Sequence, residues 1–249
     1  MKPTFFIVIF LLISYTSRSQ NTQNDSVPSS NTTTFKPKAL IIPTLLIGYG
    51  VVGLESHTLK LVNSEISEEV KEHIDDKFTI DDISQYTPFA SVYALNALGI
   101  NGKHNFKDRT IILGTAYLIM GGTVNVLKHT GTVVRPDGSS NNSFPSGHTA
   151  TAFMGAEFLM QEYKDTSIWY GITGYVIATG TGLFRVYNDR HWLTDVAAGA
   201  GIGILSTKIA YWTHPFIKKH LLKDKETLNA MVMPFYNGHE SGLGVIVSF

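Results

Sequence analysis

The chain carries KHTGTVVRPDGSSNNSFPSGH at residues 128–148 and RVYNDRHWLTD at residues 185–195. Within these stretches six residues stand at fixed spacings: the cations Lys128, Arg135 and Arg185, the histidines His148 and His191, and the carboxylate Asp195. Six residues separate the first cation from the second, and five separate the third cation from the second histidine. Three residues lie between that histidine and the carboxylate. All are groups that bind or attack a phosphate.

The first motif joins an apolar segment to an extended loop. Lys128 follows the apolar run 110–127, where a lysine also complements the helix dipole without any further function. Arg135 precedes Pro136, so its backbone is biased away from the helical region. Taken alone, this motif is compatible with an ordinary helix end that leads into a loop.

The second motif, residues 145–148, reads PSGH and precedes a segment, 149–162, that we predict to be helical. Ser146 is suited to the N-cap position, and Gly147 lets the backbone come close to a ligand. A helix start offers free N–H groups and the positive end of a dipole, which suits an anion. The alternative is a capped helix whose histidine serves packing alone.

The third motif places His191 four residues before Asp195. In a helix the two side chains would lie on one face, where the carboxylate can hold one imidazole nitrogen and leave the other free as nucleophile or base. The guanidinium of Arg185 matches the geometry of phosphate oxygens. The alternative is a solvated helix start, because residues 189–191 are consecutive polar residues.

Together, in this order and at these spacings, the three motifs resemble the signature of the type 2 phosphatidic acid phosphatase (PAP2) superfamily. That superfamily also contains bacterial acid phosphatases and vanadium haloperoxidases. The likeness extends over roughly residues 39–215, and one departure is Phe184, where the family usually has serine. It implies an all-α fold built as a six-helix PAP2-type bundle.

The resemblance also implies a role for each motif residue. The histidine that matches His191 attacks phosphorus and forms a phosphohistidine, while Asp195 orients it. His148 protonates the leaving oxygen and later helps to activate water. The residues implied to hold the phosphate are Lys128, Arg135, Ser146, Gly147 and Arg185. This scheme needs no metal and no cofactor.

We therefore expect a metal-independent phosphatase that hydrolyses a phosphate monoester or diphosphate, with a phosphorylated lipid as the expected substrate. One alternative is a vanadate-dependent haloperoxidase, in which vanadate would occupy the same pocket. Another is a non-specific periplasmic acid phosphatase that acts on soluble monoesters. A non-catalytic membrane protein with the same fold is disfavoured, because the motif residues are all present.

Composition agrees with one folded domain and excludes several classes of protein. The 249 residues have a formal net charge of zero, so no basic face indicates a nucleic-acid partner. The chain has no cysteine and hence no disulfide framework. Lys2, the apolar run 5–13 and the small residues Ser17 and Ser19 are typical of a secretory signal peptide.

We divide the chain into a signal peptide at 1–19, a disordered polar lead at 20–38, the PAP2-like domain at 39–220 and a C-terminal tail at 221–249. The tail reads as a short β-hairpin-like pair of extended segments around Asn237-Gly238. Six apolar segments predict the helices of the bundle: 39–54, 88–98, 110–127, 149–160, 168–184 and 193–212.

Between the first two apolar segments, Ile66, Val70 and Ile74 recur every four residues and predict a surface helix with one apolar stripe. Residues 55–87 are the candidate for a wall of the substrate pocket, and a plain surface helix or a lid are the alternatives for the helix within them. The mean hydropathy of +0.06 is low for six membrane spans. With an export signal, this favours a periplasmic protein that is soluble or membrane-associated, and an integral inner-membrane form is the alternative.

Overall fold

The computed structural model describes residues 37–73, 79–220, 229–236 and 241–248. The predicted signal peptide lies outside these residues, so the structure leaves it as a prediction. The polar lead is described only from Pro37, which already begins a 3-10 turn that ends at Leu40.

Eight α-helices follow in the described part of the chain: α1 Ile41–Gly53, α2 His57–His73, α3 Ile80–Ser84, α4 Thr87–Ala97, α5 Phe106–Thr130, α6 Gly147–Tyr163, α7 Ile168–Tyr187 and α8 Leu193–His220. Two strands come after them, β1 Asn229–Tyr236 and β2 Ser241–Ser248. The strands pair antiparallel, with Asn229 opposite Ser248 and Tyr236 opposite Ser241.

The predicted fold class, a six-helix bundle with a short hairpin-like tail, is wrong in its number of helices. The described residues contain eight α-helices, because the polar stretch after α1 also folds into the helices α2 and α3. The surface helix predicted from its single apolar stripe is α2, which contains Ile66 and Val70, whereas α3 was not predicted because it is only five residues long. These two helices matter to the site described below.

Helix α6 lies at the centre of the bundle and packs against α4, α5, α7 and α8. Helix α8 in turn packs against α1 and α5 as well as α6. The core between them is apolar and fully enclosed, with large members on each of the central helices: Val92, Ile112, Met120, Met154, Phe158, Tyr163, Ile202 and Tyr211.

Close packing around α8 depends on glycine at alternate positions. A Cβ on Gly203 would press against the carbonyl oxygen of Ala150 and lie 2.8 Å from the amide nitrogen of Met154, both on α6. A Cβ on Gly201 would lie 2.7 Å from the carbonyl oxygen of Pro43 on α1. Two residues turn an α-helix by about 200°, so alternate glycines serve opposite neighbours. Helix α8 is therefore held between α1 and α6 at backbone contact.

The outer surface of the bundle is apolar. Large hydrophobic side chains stand exposed on several helices, for example Ile42 (65%) on α1, Leu118 (79%) on α5 and Trp169 (70%) on α7. Within the described ranges α5 and α8 are long and apolar enough to cross a membrane, by length and composition. A third span results if the 3-10 turn with α1 and the helix α2, which meet at 90°, count as one broken span.

These features point to a membrane protein. A membrane location was one of the two that the sequence predicted. The mean hydropathy of the chain understated this, because it averages the apolar bundle with the polar α2 and the polar N-terminal residues. Export to the periplasm remains a prediction, since the segment that carries it lies outside the described residues.

We predict that Gly203→Ala destabilises the protein by about 1–3 kcal/mol, the cost of overpacking a close backbone contact. The matched variant Gly122→Ala meets nothing within 4 Å of the added Cβ. It should leave stability unchanged or raise it by roughly 0.5–1 kcal/mol, since alanine favours the helix. Unfolding in detergent, followed by circular dichroism, measures both. Equal stability of the two variants would contradict the proposed helix contact.

Candidate active site

The three motifs meet at one end of the bundle because consecutive helices run in opposite directions. Helices α5 and α7 end there, whereas α6 and α8 begin there. The amide of Ser146 donates to the carbonyl oxygen of Asp195 at 3.0 Å, which ties the two helix starts together. Two positive helix ends therefore point into one region, an arrangement that favours an anion.

Ser146 is the N-cap of α6, as the sequence predicts. Its Oγ accepts from the amide of Thr149 and lies 2.9 Å from the hydroxyl of that residue. The Ser146 side chain is fully buried in this cap. The structure thus uses its hydroxyl to begin the helix, while the half-buried Gly147 follows at the first helical position.

His191 lies just before α8 and is almost fully buried, with 2% of its surface exposed. Its Nδ1 lies 3.7 Å from Oδ2 of Asp195, a residue in the first turn of the helix. The same Oδ2 accepts from the Ser143 hydroxyl at 2.5 Å and from the Trp192 amide at 3.0 Å. Ser143 Oγ is also 3.4 Å from His191 Nδ1. One side of the imidazole is therefore fixed by Asp195 and Ser143 together.

Burial lowers the pKa of His191 to about 4, and the nearby Arg185 and Lys128 act in the same direction. Asp195 acts against them by favouring the charged imidazole. At neutral pH the ring is consequently uncharged, so one nitrogen carries a lone pair. Neutral imidazole is the form that a nucleophile requires.

Two of the three predicted cations, Lys128 and Arg185, are close enough to His191 to influence its charge, and Arg135 is close to both of them. The Nζ of Lys128 donates to the carbonyl oxygen of Asn142 at 2.6 Å. Arg135 stands in the loop after α5, and burial and the charge of Arg185 lower its pKa. The Nε atoms of Arg135 and Arg185 are buried, and no described residue accepts a hydrogen bond from them. Two unpartnered donors on cations are suited to an anionic ligand.

Two carboxylates that the motifs do not include complete the site. Asp81 on α3 forms a buried ion pair with Arg185 and accepts from Nδ2 of Asn188 at 3.0 Å. The neighbouring Asp82 lies with Oδ1 2.8 Å from Nε2 of His148. Sequence reasoning missed both, because they are more than 60 residues from the motif residues that they contact. The only indication in the sequence was that both lie within residues 55–87, the predicted wall of the substrate pocket.

Helix α2 covers the site with a polar face. Asn63 Nδ2 donates to the Thr194 hydroxyl at 2.9 Å, and the Ser67 hydroxyl donates to Oδ1 of Asp189 at 3.0 Å. At its far end Lys71 donates to the carbonyl oxygen of Pro136. These bonds fasten α2 to the third motif and to the loop that contains Arg135 and Pro136. A cavity of about 290 Å³ lies between α2, Trp192 and Asp195.

Within the described residues one group has the spacing of a metal site, namely Asp81, Asp82 and His148, whose ligand atoms lie within 4.8 Å of one another. Both carboxylates already face the guanidinium of Arg185. A fixed positive charge at that distance opposes a divalent cation. The geometry therefore favours ion pairs over a metal centre.

Part of the chain matches a known family. Residues 109–219 match the family model described as the PAP2 superfamily. This confirms the resemblance drawn from the motifs, because the matched range includes all three of them.

Individual relatives carry more specific names. The chain is 32% identical over 265 residues to the lipid A 1-phosphatase of Porphyromonas gingivalis, an alignment that covers 96% of the chain and 58% of that protein. It is 35% identical over 133 residues to phosphatidylglycerophosphatase B of Bacillus subtilis, over 47% of the chain and 65% of the relative. The chain thus spans less than two thirds of the length of either relative.

A solved structure of a transmembrane PAP2-type phosphatidylglycerolphosphate phosphatase from Bacillus subtilis aligns with 72% of the chain and 98% of its own length. The TM-score is 0.46 and the sequence identity is 21%.

We predict that Asp81→Ala lowers the free energy of unfolding by about 3–5 kcal/mol, because it leaves the buried Arg185 without its main counter-charge. The control Arg190→Gln breaks the more exposed ion pair with Asp137 and should cost about 0–1 kcal/mol. Chemical unfolding in detergent measures both. A loss at Asp81 no larger than that at Arg190 would show that the buried pair is not needed for stability.

Proposed function

We propose that the chain is a phosphatase that removes phosphate from a phosphorylated lipid, without a metal or cofactor, through a phosphohistidine. The observation that supports this most is the position of His191. It is a buried, neutral imidazole held from one side by Asp195, and it lies near two helix starts and the cations Lys128 and Arg185. A nucleophile, an orienting carboxylate and charge neutralisation are what phosphoryl transfer requires.

In the first step the free imidazole nitrogen of His191 attacks phosphorus, and the bond to the leaving oxygen breaks. The charge on the phosphoryl oxygens is neutralised by Lys128, Arg135 and Arg185, together with the amides at the start of α6. His148 gives a proton to the leaving oxygen, so the alcohol departs neutral. The product left on the enzyme is a phosphohistidine, stabilised by the same cations.

In the second step a water molecule attacks phosphorus and breaks the bond to His191. His148, which is now neutral, accepts a proton from that water. Inorganic phosphate forms, and both histidines return to their starting protonation states. No electrons are transferred, and the cations need only remain in place.

A lipid substrate fits the position of the site. Lys128 and the start of α8 both lie at ends of candidate membrane spans, so the phosphate site lies near a membrane surface. The exposed apolar side chains below it can contact acyl chains that remain in the bilayer. The names of both curated relatives describe phosphatases of lipid phosphates, which agrees with this substrate class. We further propose that the site faces the periplasm, in keeping with the predicted signal peptide.

Phosphate release in the presence of EDTA tests this function directly. We expect purified protein in detergent to release phosphate from lipid phosphates and from a polyprenyl diphosphate faster than from soluble monoesters. His191→Ala should abolish release, while Arg190→Gln should retain it because that residue faces Asp137. Release that survives His191→Ala would contradict the proposed nucleophile. Release from soluble monoesters alone would favour an acid phosphatase, and bromide oxidation with vanadate and peroxide would favour a haloperoxidase.

Arg135→Ala and Arg185→Ala should each lower kcat/KM by a factor of about 10²–10³, equivalent to about 3–4 kcal/mol of transition-state stabilisation. A single-turnover measurement locates the loss in formation of the phosphoenzyme. Arg190→Gln is again the matched control, since it removes a cation of the same motif that is half-exposed. Equal effects at all three arginines would indicate a general charge effect instead of specific phosphate contacts.

The dependence of kcat/KM on pH should be bell-shaped with an acid optimum. The nucleophile must be neutral, so activity rises with pH through the pKa of His191, about 4. The general acid must be protonated, so activity falls as pH rises through the pKa of His148. Burial lowers that pKa from its usual value of 6.5, with Arg185 as a further cause. A soluble monoester in dilute detergent gives this profile, and an alkaline optimum would contradict it.

A further inference from the structure

The proposed mechanism leaves one question about His148, namely what holds its imidazole and its proton. His148 is the second residue of α6, and its side chain remains 30% exposed. Oδ1 of Asp82 lies 2.8 Å from Nε2 of this ring. Among the described residues no polar group contacts the other ring nitrogen, Nδ1.

We propose that Asp82 is a positioning residue, which holds Nε2–H of His148 and thereby presents Nδ1 to the leaving oxygen of the substrate. This proposal rests on the proposed function and deepens it. The arrangement repeats, for the acid, what Asp195 does for the nucleophile: a carboxylate fixes one imidazole nitrogen so that the other is placed for chemistry.

The positions of the protons on His148 in the two steps are consistent with this role. In the imidazolium form, Nε2–H donates to Asp82 and Nδ1–H donates to the leaving oxygen. After transfer the neutral ring keeps Nε2–H on Asp82, and Nδ1 has a lone pair that accepts the proton from water in the second step. Asp82 stays ionised throughout, so it takes part by charge and orientation alone.

The charges around His148 show why such a partner is needed. Arg185 on α7 disfavours the protonated ring, and so does burial. Asp82 and Asp81, both on α3, are the groups that oppose them. Asp81 is committed to its buried ion pair with Arg185, whereas the Asp82 side chain is 56% exposed and lies 3.8 Å from that guanidinium. Asp82 is thus the carboxylate that is available to hold the imidazole of His148.

Helix α3 has a place in the fold that suits this task. Ser84 on the same helix lies 2.8 Å from the Thr181 hydroxyl of α7, so α3 is fastened to the helix that carries Arg185. Gln85 then closes the helix end by donating to the carbonyl oxygen of Asp82 at 2.9 Å. The backbone of Asp82 is therefore fixed relative to the phosphate site, although its side chain is exposed.

The first test measures His148 directly and needs no turnover. The chain has nine histidines, so isotope-labelled histidine followed by NMR across the acid range gives one titration for each, and His148→Gln identifies the relevant signal. We expect His148 to titrate at lower pH in Asp82→Asn than in wild type. Asp165→Asn makes the same change on an exposed residue beyond the far end of α6 and should leave the titration unchanged. An unchanged titration in Asp82→Asn would overturn the proposal.

The second test compares leaving groups. A general acid contributes about 10²–10⁴ in rate, and an ester of a weakly acidic alcohol needs it most. Asp82→Asn should lower kcat for an alkyl phosphate about tenfold or more, with a much smaller effect on an aryl phosphate whose leaving group departs as an anion. Asp82→Glu should recover part of the loss. Equal losses on both substrates would overturn the proposal, and faster turnover would show that Asp82 obstructs the site.

The two tests also separate this proposal from the proposed function. If wild-type protein releases no phosphate from any substrate, the proposed function fails, while the titration of His148 still decides whether Asp82 controls that ring. If wild type is active and Asp82→Asn matches it in both tests, the function stands and the role of Asp82 is overturned.

Discussion

The site depends on one contact, the close approach of the first turns of α6 and α8. The amide of Ser146 donates to the carbonyl oxygen of Asp195, and a Cβ on Gly199 would press against the carbonyl oxygen of Ser146. Two backbones can meet at this distance only where one of them carries glycine. The contact places His148, the proposed acid, at the start of α6 and His191, the proposed nucleophile, before α8 at neighbouring helix ends, so both dipoles act on the same region.

Around that contact the site balances its charges. Lys128, Arg135 and Arg185 are opposed by Asp81, Asp82 and Asp195, and each carboxylate serves a different group. Asp81 neutralises the buried Arg185, Asp82 contacts His148, and Asp195 lies beside His191. Without such partners, three cations so close together would repel one another strongly in a partly buried site. The carboxylates thus allow the cations to be assembled in one place without a bound anion.

The membrane setting and the site are linked through the same helices. Their outer faces carry exposed apolar side chains, while their ends carry the polar motifs. Glycine permits close helix approach at Gly182, Gly199, Gly201 and Gly203, which meet neighbouring helices, whereas Gly121, Gly122 and Gly180 face open space.

The sequence by itself determined the motif residues and the six apolar helices, because both are local patterns. Spacing places His191 near Asp195 within one turn, and apolar runs mark α1 and α4 to α8. Other parts of the site could not be read from it. Asp81 and Asp82 are about 100 and 66 residues from their partners Arg185 and His148, and Ser143 contacts Asp195 across 52 residues. No local pattern marks such pairs, since they meet only when α3 packs on α7 and when α6 and α8 begin side by side. Tertiary structure alone decided which carboxylate holds which cation or histidine, because that depends on distances between helices that the chain brings together only on folding.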